Sequence, residues 1–216
     1  TVGHDFGPYG HWLRERSIDL THVRVIDGEF TAQAFITTDL DDNQITAFHP
    51  GAMNHSHVAQ VPRVDGITLG VVAPDGREGM LRHAEQFAAA GIPLLFDPGQ
   101  GLPMFDGEEL LGFIGRSTWI AVNDYEGQML QERTGLSHAE IARRVRALIV
   151  TRGAEGSVIY ADGDEIVIPP ARPDAVVDPT GCGDAYRAGL IFGLQNGLDW
   201  QTTGRVASLM GSIKIA

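Results

Sequence analysis

Between residues 67 and 151 four short apolar runs alternate with stretches of helical period, and few folds accept that order. The runs are 67–72, 92–96, 119–122 and 148–151. Helical patterns fill the gaps at 79–90, 108–115 and 125–134, with a further one from Ser137 to about Arg146. In the first of these, Met80, Leu81, Ala84, Phe87 and Ala88 share one face, and Gly91 closes the segment. Runs that are apolar on both faces, joined by helical crossovers, predict an α/β fold with a mainly parallel central sheet and helices on both sides. Ligands of such sheets bind beyond the C-terminal strand ends. That rule singles out Asp97, Asn123, Thr151 and the 178–184 loop.

The flanking segments read differently. A short helix is expected at 11–16, strands at 23–26, 34–37 and 44–48, and an acidic turn, Leu40-Asp41-Asp42-Asn43, between the last two. A second hairpin is expected from 157–161 and 165–168 around Asp162-Gly163-Asp164. Ser137 with Glu140 three residues on is a capping-box pattern. Two helices close the chain, one from Asp184 to Gly197 and one at 201–213.

Length and charge narrow the chemistry. A chain of 216 residues suits one domain, expected here to be incomplete at both ends, since Thr1 is not a start and the 214–216 stretch carries no cap. A formal charge of −12 argues against a nucleic-acid polymer or an anionic membrane as partner. One cysteine, Cys182, and no leader fit a reducing cytoplasm. The chain holds 15 arginines and a single lysine, Lys214. A Walker A loop is therefore excluded, as are the lysines of protein kinases and pyridoxal enzymes. Phosphate handled by this sequence falls to backbone N–H groups, arginine and metal.

The 178–184 loop, Asp-Pro-Thr-Gly-Cys-Gly-Asp, sets two carboxylates around a Gly-X-Gly turn just before an apolar helix. Glycines let successive N–H groups converge, and a helix start adds unpaired donors and a positive dipole end. The result is a seat for an anion, usually phosphate. Asp184 on its rim suits a base that takes a proton from an attacking hydroxyl. A plain turn with Asp184 as a helix cap reads equally well from these residues alone.

The motif as a whole resembles the C-terminal signature of the ribokinase-like, phosphofructokinase-B type kinases of sugars and nucleosides, usually Asp-Thr-x-Gly-Ala-Gly-Asp. Pro179 and Cys182 depart from it, without touching backbone donors. The resemblance implies a ribokinase-like fold with a small β lid, to which about 20–50 contributes. It makes Asp184 the catalytic base and gives the N–H groups of Gly181, Cys182 and Gly183 to an anion hole. Asp178 is assigned to a monovalent-cation (K+) site. Asn123-Asp124-Tyr125-Glu126 is similar to the family's Asn-x-x-Glu, so Asn123 and Glu126 are expected to hold phosphates and Mg2+, with Glu126 acting largely through water. Val150-Thr151-Arg152-Gly153 resembles the segment bordering the nucleotide, placing Thr151 and Gly153 near the phosphates of ATP. The residues 1–7 match the family's Val-Gly-x-Asp-x-x-Gly, with Asp5 expected to cap the next helix. Family members carry an Asp and a Gly-Gly motif for the sugar hydroxyls further N-terminally, before the counterpart of Thr1.

The turn at 39–44 with His49-Pro50-Gly51-Ala52 is most similar to the adenosine-kinase and bacterial nucleoside-kinase branch. The expected activity is transfer of the γ-phosphoryl group of ATP to the 5′-hydroxyl of a ribonucleoside. A free-sugar kinase, and a non-catalytic nucleotide sensor, are the alternatives. Family precedent also makes a homodimer through the lid strands an expectation. His55 and His57, two apart, make a poor zinc pair, and Cys182 has no histidine near it in sequence to serve it as a nucleophile.

Overall fold

The computed structural model describes residues 1–38 and 44–216. The acidic turn expected at 40–43 lies outside the described residues. The chain divides into two compact units, one formed by Thr1–Asp65 with Asp75–Gln86 and the other by Gly66–Pro74 with Phe87–Ala216.

The first unit holds helix α1 (Gly7–Glu15) and an antiparallel pair, β1 (Gln33–Thr38) and β2 (Gln44–His49). This is the small sheet expected from the strand-like segments 34–37 and 44–48. Phe35, Ile36, Ile45 and Phe48 on it are exposed. Residues 23–26 do not form the expected strand. Val25 makes a lone parallel bridge with Val2, bounded by Val2 N–H to the Arg24 carbonyl and Ile26 N–H to that of Val2, both 2.8 Å. Asp5 does not cap α1. Phe6 holds the cap position in helical geometry, without a side-chain bond. The Asp5 carboxylate instead accepts Thr31 N–H at 2.8 Å and the Thr31 hydroxyl at 2.7 Å, which hold it below the usual carboxylate range. His55 lies 3.3 Å from Glu29, and no group of three metal-ligating side chains forms among the described residues.

The second unit is built on a six-stranded sheet whose order follows the chain: β3 (Gly70–Val72), β4 (Leu94–Phe96), β5 (Trp119–Asn123), β6 (Ala147–Thr151), β7 (Ser157–Ala161) and β8 (Asp164–Ile168). The first four are parallel, and the last two return antiparallel as the expected hairpin. Strand β3 is half the length of its apolar run. Among the described residues it pairs with β4 alone, whose ladder begins after Pro93, a residue with no N–H to give, while the Pro93 carbonyl receives Gly70 N–H at 2.8 Å.

Helix α2 (Arg77–Ala89) follows β3 in the chain, α3 (Gly107–Arg116) follows β4, and α4 (Asp124–Thr134) with α5 (His138–Ala142) follows β5. The Ser137–Glu140 capping box is formed. Helix α5 stops short of Arg146, because Arg146 N–H is already pairing with the Thr118 carbonyl at 2.8 Å to open β6.

Alternate residues divide the core between the two sheet faces. Phe96 stacks on Phe113 of α3 with centroids 4.3 Å apart. On the other face Leu95, Ala121, Ile149, Ile159 and Ile168 pack with Tyr186, Leu190 and Ala207 from α6 (Cys182–Gln195) and α7 (Trp200–Ile215). The pair α6–α7 is tight because small residues line its contact. A Cβ on Gly189 would fall 2.6 Å from Ala207 Cα and 3.0 Å from the Val206 carbonyl oxygen. Gly189→Val is therefore expected to lower the urea midpoint, at a cost of about 1–3 kcal/mol or more from forced backbone separation.

No helix among the described residues is long and apolar enough to cross a membrane.

Candidate active site

The C-terminal ends of β4, β5 and β6 bring Asp97, Asn123 and Thr151 to one edge of the sheet. Asp97 directly follows β4, and its N–H still bonds the Val72 carbonyl at 2.9 Å, so its position is set by the ladder. Asn123 and Thr151 are register partners in adjacent parallel strands. Thr151 donates its hydroxyl to the Val122 carbonyl at 3.4 Å. Gly153 begins a tight turn in left-handed geometry, φ 53°, which favours glycine.

Asn123 and Glu126 close a ring of hydrogen bonds. Asn123 caps α4 by accepting Glu126 N–H at 2.7 Å. The Glu126 carboxylate accepts Asn123 N–H and its side-chain amide, each at 2.8 Å. Burial raises the Glu126 pKa, against the pull of the Asn123 N–H and the Arg187 charge. With both oxygens engaged in the cap, this carboxylate suits outer contact to a hydrated ion more than direct ligation. Magnesium, which keeps several waters and needs few carboxylates, fits that donor set.

Helix α6 begins on Gly181, whose φ of 80° lies in the left-handed region. The turn aims the first helical N–H groups outward. Cys182 N–H is held by the Pro179 carbonyl at 3.1 Å. The N–H groups of Gly181, Gly183 and Asp184 find no acceptor among the described residues. The donors left open at this turn are therefore those of Gly181, Gly183 and Asp184, and the expected Cys182 donor is taken within the turn. Asp184 is not the helix cap. It lies in the first turn, exposed, and its carboxylate accepts no hydrogen bond among the described residues.

One turn on, Arg187 makes a bidentate pair with Asp97, Nε to Oδ2 at 2.8 Å and Nη2 to Oδ1 at 2.9 Å. Both side chains are nearly buried, 14% and 13% exposed. Burial pushes the Asp97 carboxyl up while Arg187 pulls it down, and Asp184 adds to the upward push. Arg187 also reaches the Gly183 carbonyl at 3.4 Å. The arginine thus ties the start of α6 to the sheet edge and is felt by Glu126 as well. Reading the residues in order missed Arg187. Its spacing of three from Asp184, in a chain with almost no lysine, was the available signal.

Asp178 lies apart from this group. One oxygen accepts Thr180 N–H at 2.9 Å, which holds its pKa low, and the other faces Lys214 Nζ at 3.9 Å. One oxygen of this carboxylate thus carries an N–H bond and the other faces an ammonium across a longer gap.

A helix that starts on a left-handed glycine and carries a free carboxylate in its first turn, beside the C-terminal edge of a parallel sheet, defines a phosphate-handling α/β protein. The chain belongs to the pfkB family of carbohydrate kinases, whose model matches residues 1–216. The nucleoside kinase of Burkholderia thailandensis in complex with inosine is 51% identical, with a TM-score of 0.95 over 99% of this chain and 71% of that one. The same kinase in complex with ADP-inosine matches with a TM-score of 0.94 over 99% and 67%. The nucleoside kinase of Methanocaldococcus jannaschii is 34% identical over 217 residues, 99% of this chain and 71% of its own length.

Proposed function

We propose that this chain is the ATP-dependent kinase of a ribonucleoside, transferring the γ-phosphoryl group to the 5′-hydroxyl. The observation that carries the reading is the Asp184 carboxylate, without a hydrogen bond among the described residues, beside N–H donors at the start of α6 that likewise find no acceptor among them. The family and the inosine-bound relative support nucleoside phosphorylation.

In this reading Asp184 accepts the proton of the hydroxyl as its oxygen attacks phosphorus, and the bond from phosphorus to the β,γ-bridging oxygen breaks to release ADP. The N–H groups of Gly181, Gly183 and Asp184 receive the charge that spreads over the transferred group. Asn123 orients Glu126, which would hold Mg2+ through water, and that ion would neutralise the phosphates when bound. Thr151 and Gly153 border the nucleotide. Positioning and electrostatics supply most of the rate in phosphoryl transfer, so a chain poor in lysine is competent. Arg187 is a positioning residue, because it touches the Gly183 carbonyl and Asp97 rather than the reacting atoms.

The test is turnover of a panel of nucleosides and free sugars with labelled ATP. Phosphorylation of inosine or adenosine is expected, and transfer to sugars alone would replace the nucleoside by the sugar-kinase reading. ATP binding without transfer to any acceptor would leave only a sensor. Glu126→Gln is expected to raise the magnesium concentration needed for half-maximal rate, since the amide oxygen can still accept the Asn123 N–H of the capping box but the side chain gives up the second bond and its charge. An unchanged magnesium requirement would take Glu126 out of that role.

A further inference from the structure

The only lysine of the chain is brought to the anion seat by tertiary folding. The Ile215 carbonyl accepts Val177 N–H at 2.8 Å and Asp178 N–H at 3.3 Å, which pins the last turn of α7 against the loop leading into α6. Lys214 Nζ then lies 3.9 Å from Asp178 Oδ2. A Cβ placed on Gly181 would meet Lys214 Cε at 3.5 Å and Asp184 Oδ2 at 3.9 Å. The lysine stem and the carboxylate of the base therefore flank the same glycine. The pair with Asp178 is loose and its side chains are 43% and 58% exposed, so it does little for stability. The ammonium can turn from Asp178 to an anion on the seat by rotation about its own stem.

Building on the kinase reading, we propose that Lys214 is a phosphate-binding residue of the transfer. It supplies as a fixed charge what an alkali cation at Asp178 would otherwise supply. Asp178 keeps the ammonium beside Gly181 while the seat is empty. With nucleotide bound, the ammonium would turn from Asp178 to the phosphates held at the Gly181 turn.

The experiment uses the whole protein, as wild type, Lys214→Met and Lys214→Arg. Steady-state rates are measured in K+ and in tetramethylammonium, and acetylation of Lys214 by acetic anhydride is followed by peptide mass with and without ADP. The expected wild type runs equally fast in both salts, and ADP protects Lys214 from acetylation. Lys214→Met is expected to lose at least about tenfold in kcat/KM for ATP, the scale of one charge-assisted hydrogen bond, while Lys214→Arg keeps most of it. Strong activation of the wild type by K+, or a Lys214→Met enzyme with unchanged kcat/KM, would overturn the proposal. So would acetylation indifferent to ADP. The acetylation readout needs no acceptor, so it tests Lys214 even if the panel of nucleosides gives no turnover. Failure of the panel with clear ADP protection would count against the acceptor and not against the lysine.

Discussion

Asp184→Asn is expected to fold as the wild type and to lose at least about a hundredfold in kcat, the lower end of what a positioned general base contributes. The folding half of this expectation follows from geometry. Gly181, not Asp184, starts α6, and the carboxylate accepts no hydrogen bond among the described residues, so the amide breaks nothing. The kinetic half follows from chemistry, because an amide cannot take the hydroxyl proton. Rapid-mixing or steady-state assays beside a circular-dichroism melt check both. Near-normal turnover with a normal melt would remove Asp184 from the base role.

The second large effect is on stability. Arg187→Met should cost about 3–5 kcal/mol, because it leaves Asp97 buried without its partner. Asp97 already meets an upward push on its pKa from burial, so without Arg187 it should take up a proton at higher pH. A folded-state pKa above the unfolded one means the folded state binds the extra proton, so the variant loses stability as pH rises through the shifted value. Its deficit relative to wild type should therefore be smaller at pH 4 than at pH 7. Asp97→Leu with Arg187→Met removes both charges, and that double variant should regain most of the stability. It should remain slow, since Gly183 and the start of α6 lose their tie to the sheet edge. A single variant as stable as wild type at pH 7 would mean that Asp97 finds another partner.

Much of the fold was legible because its signals are local. Apolar runs of strand length separated by helical periods specify a parallel sheet, and Asn-x-x-Glu, Ser-x-x-Glu and Gly-X-Gly each specify a helix start through nearest neighbours in sequence. The hairpin of β7 and β8 followed from one short turn. What failed did so where a distant partner decided. Residues 23–26 have strand composition, yet only a single bridge to Val2 is on offer. Asp5 stands where a cap could form, but Thr31 offers two donors at once and takes the carboxylate. The expected run of α5 to Arg146 yields to a ladder bond with Thr118.

The same division runs through the site. The sequence by itself determined that a Gly-X-Gly turn with a carboxylate close behind opens α6, that Asn-x-x-Glu opens α4, and that both belong to the C-terminal edge of a mainly parallel sheet. These follow from spacing along the chain, where backbone geometry leaves few choices. Only the tertiary structure decided that Cys182 gives its N–H to Pro179, that Arg187 closes on Asp97 across 90 residues, and that Lys214 arrives beside Gly181. The last two join elements far apart in sequence. Their energies depend on burial and on charges that no local pattern contains.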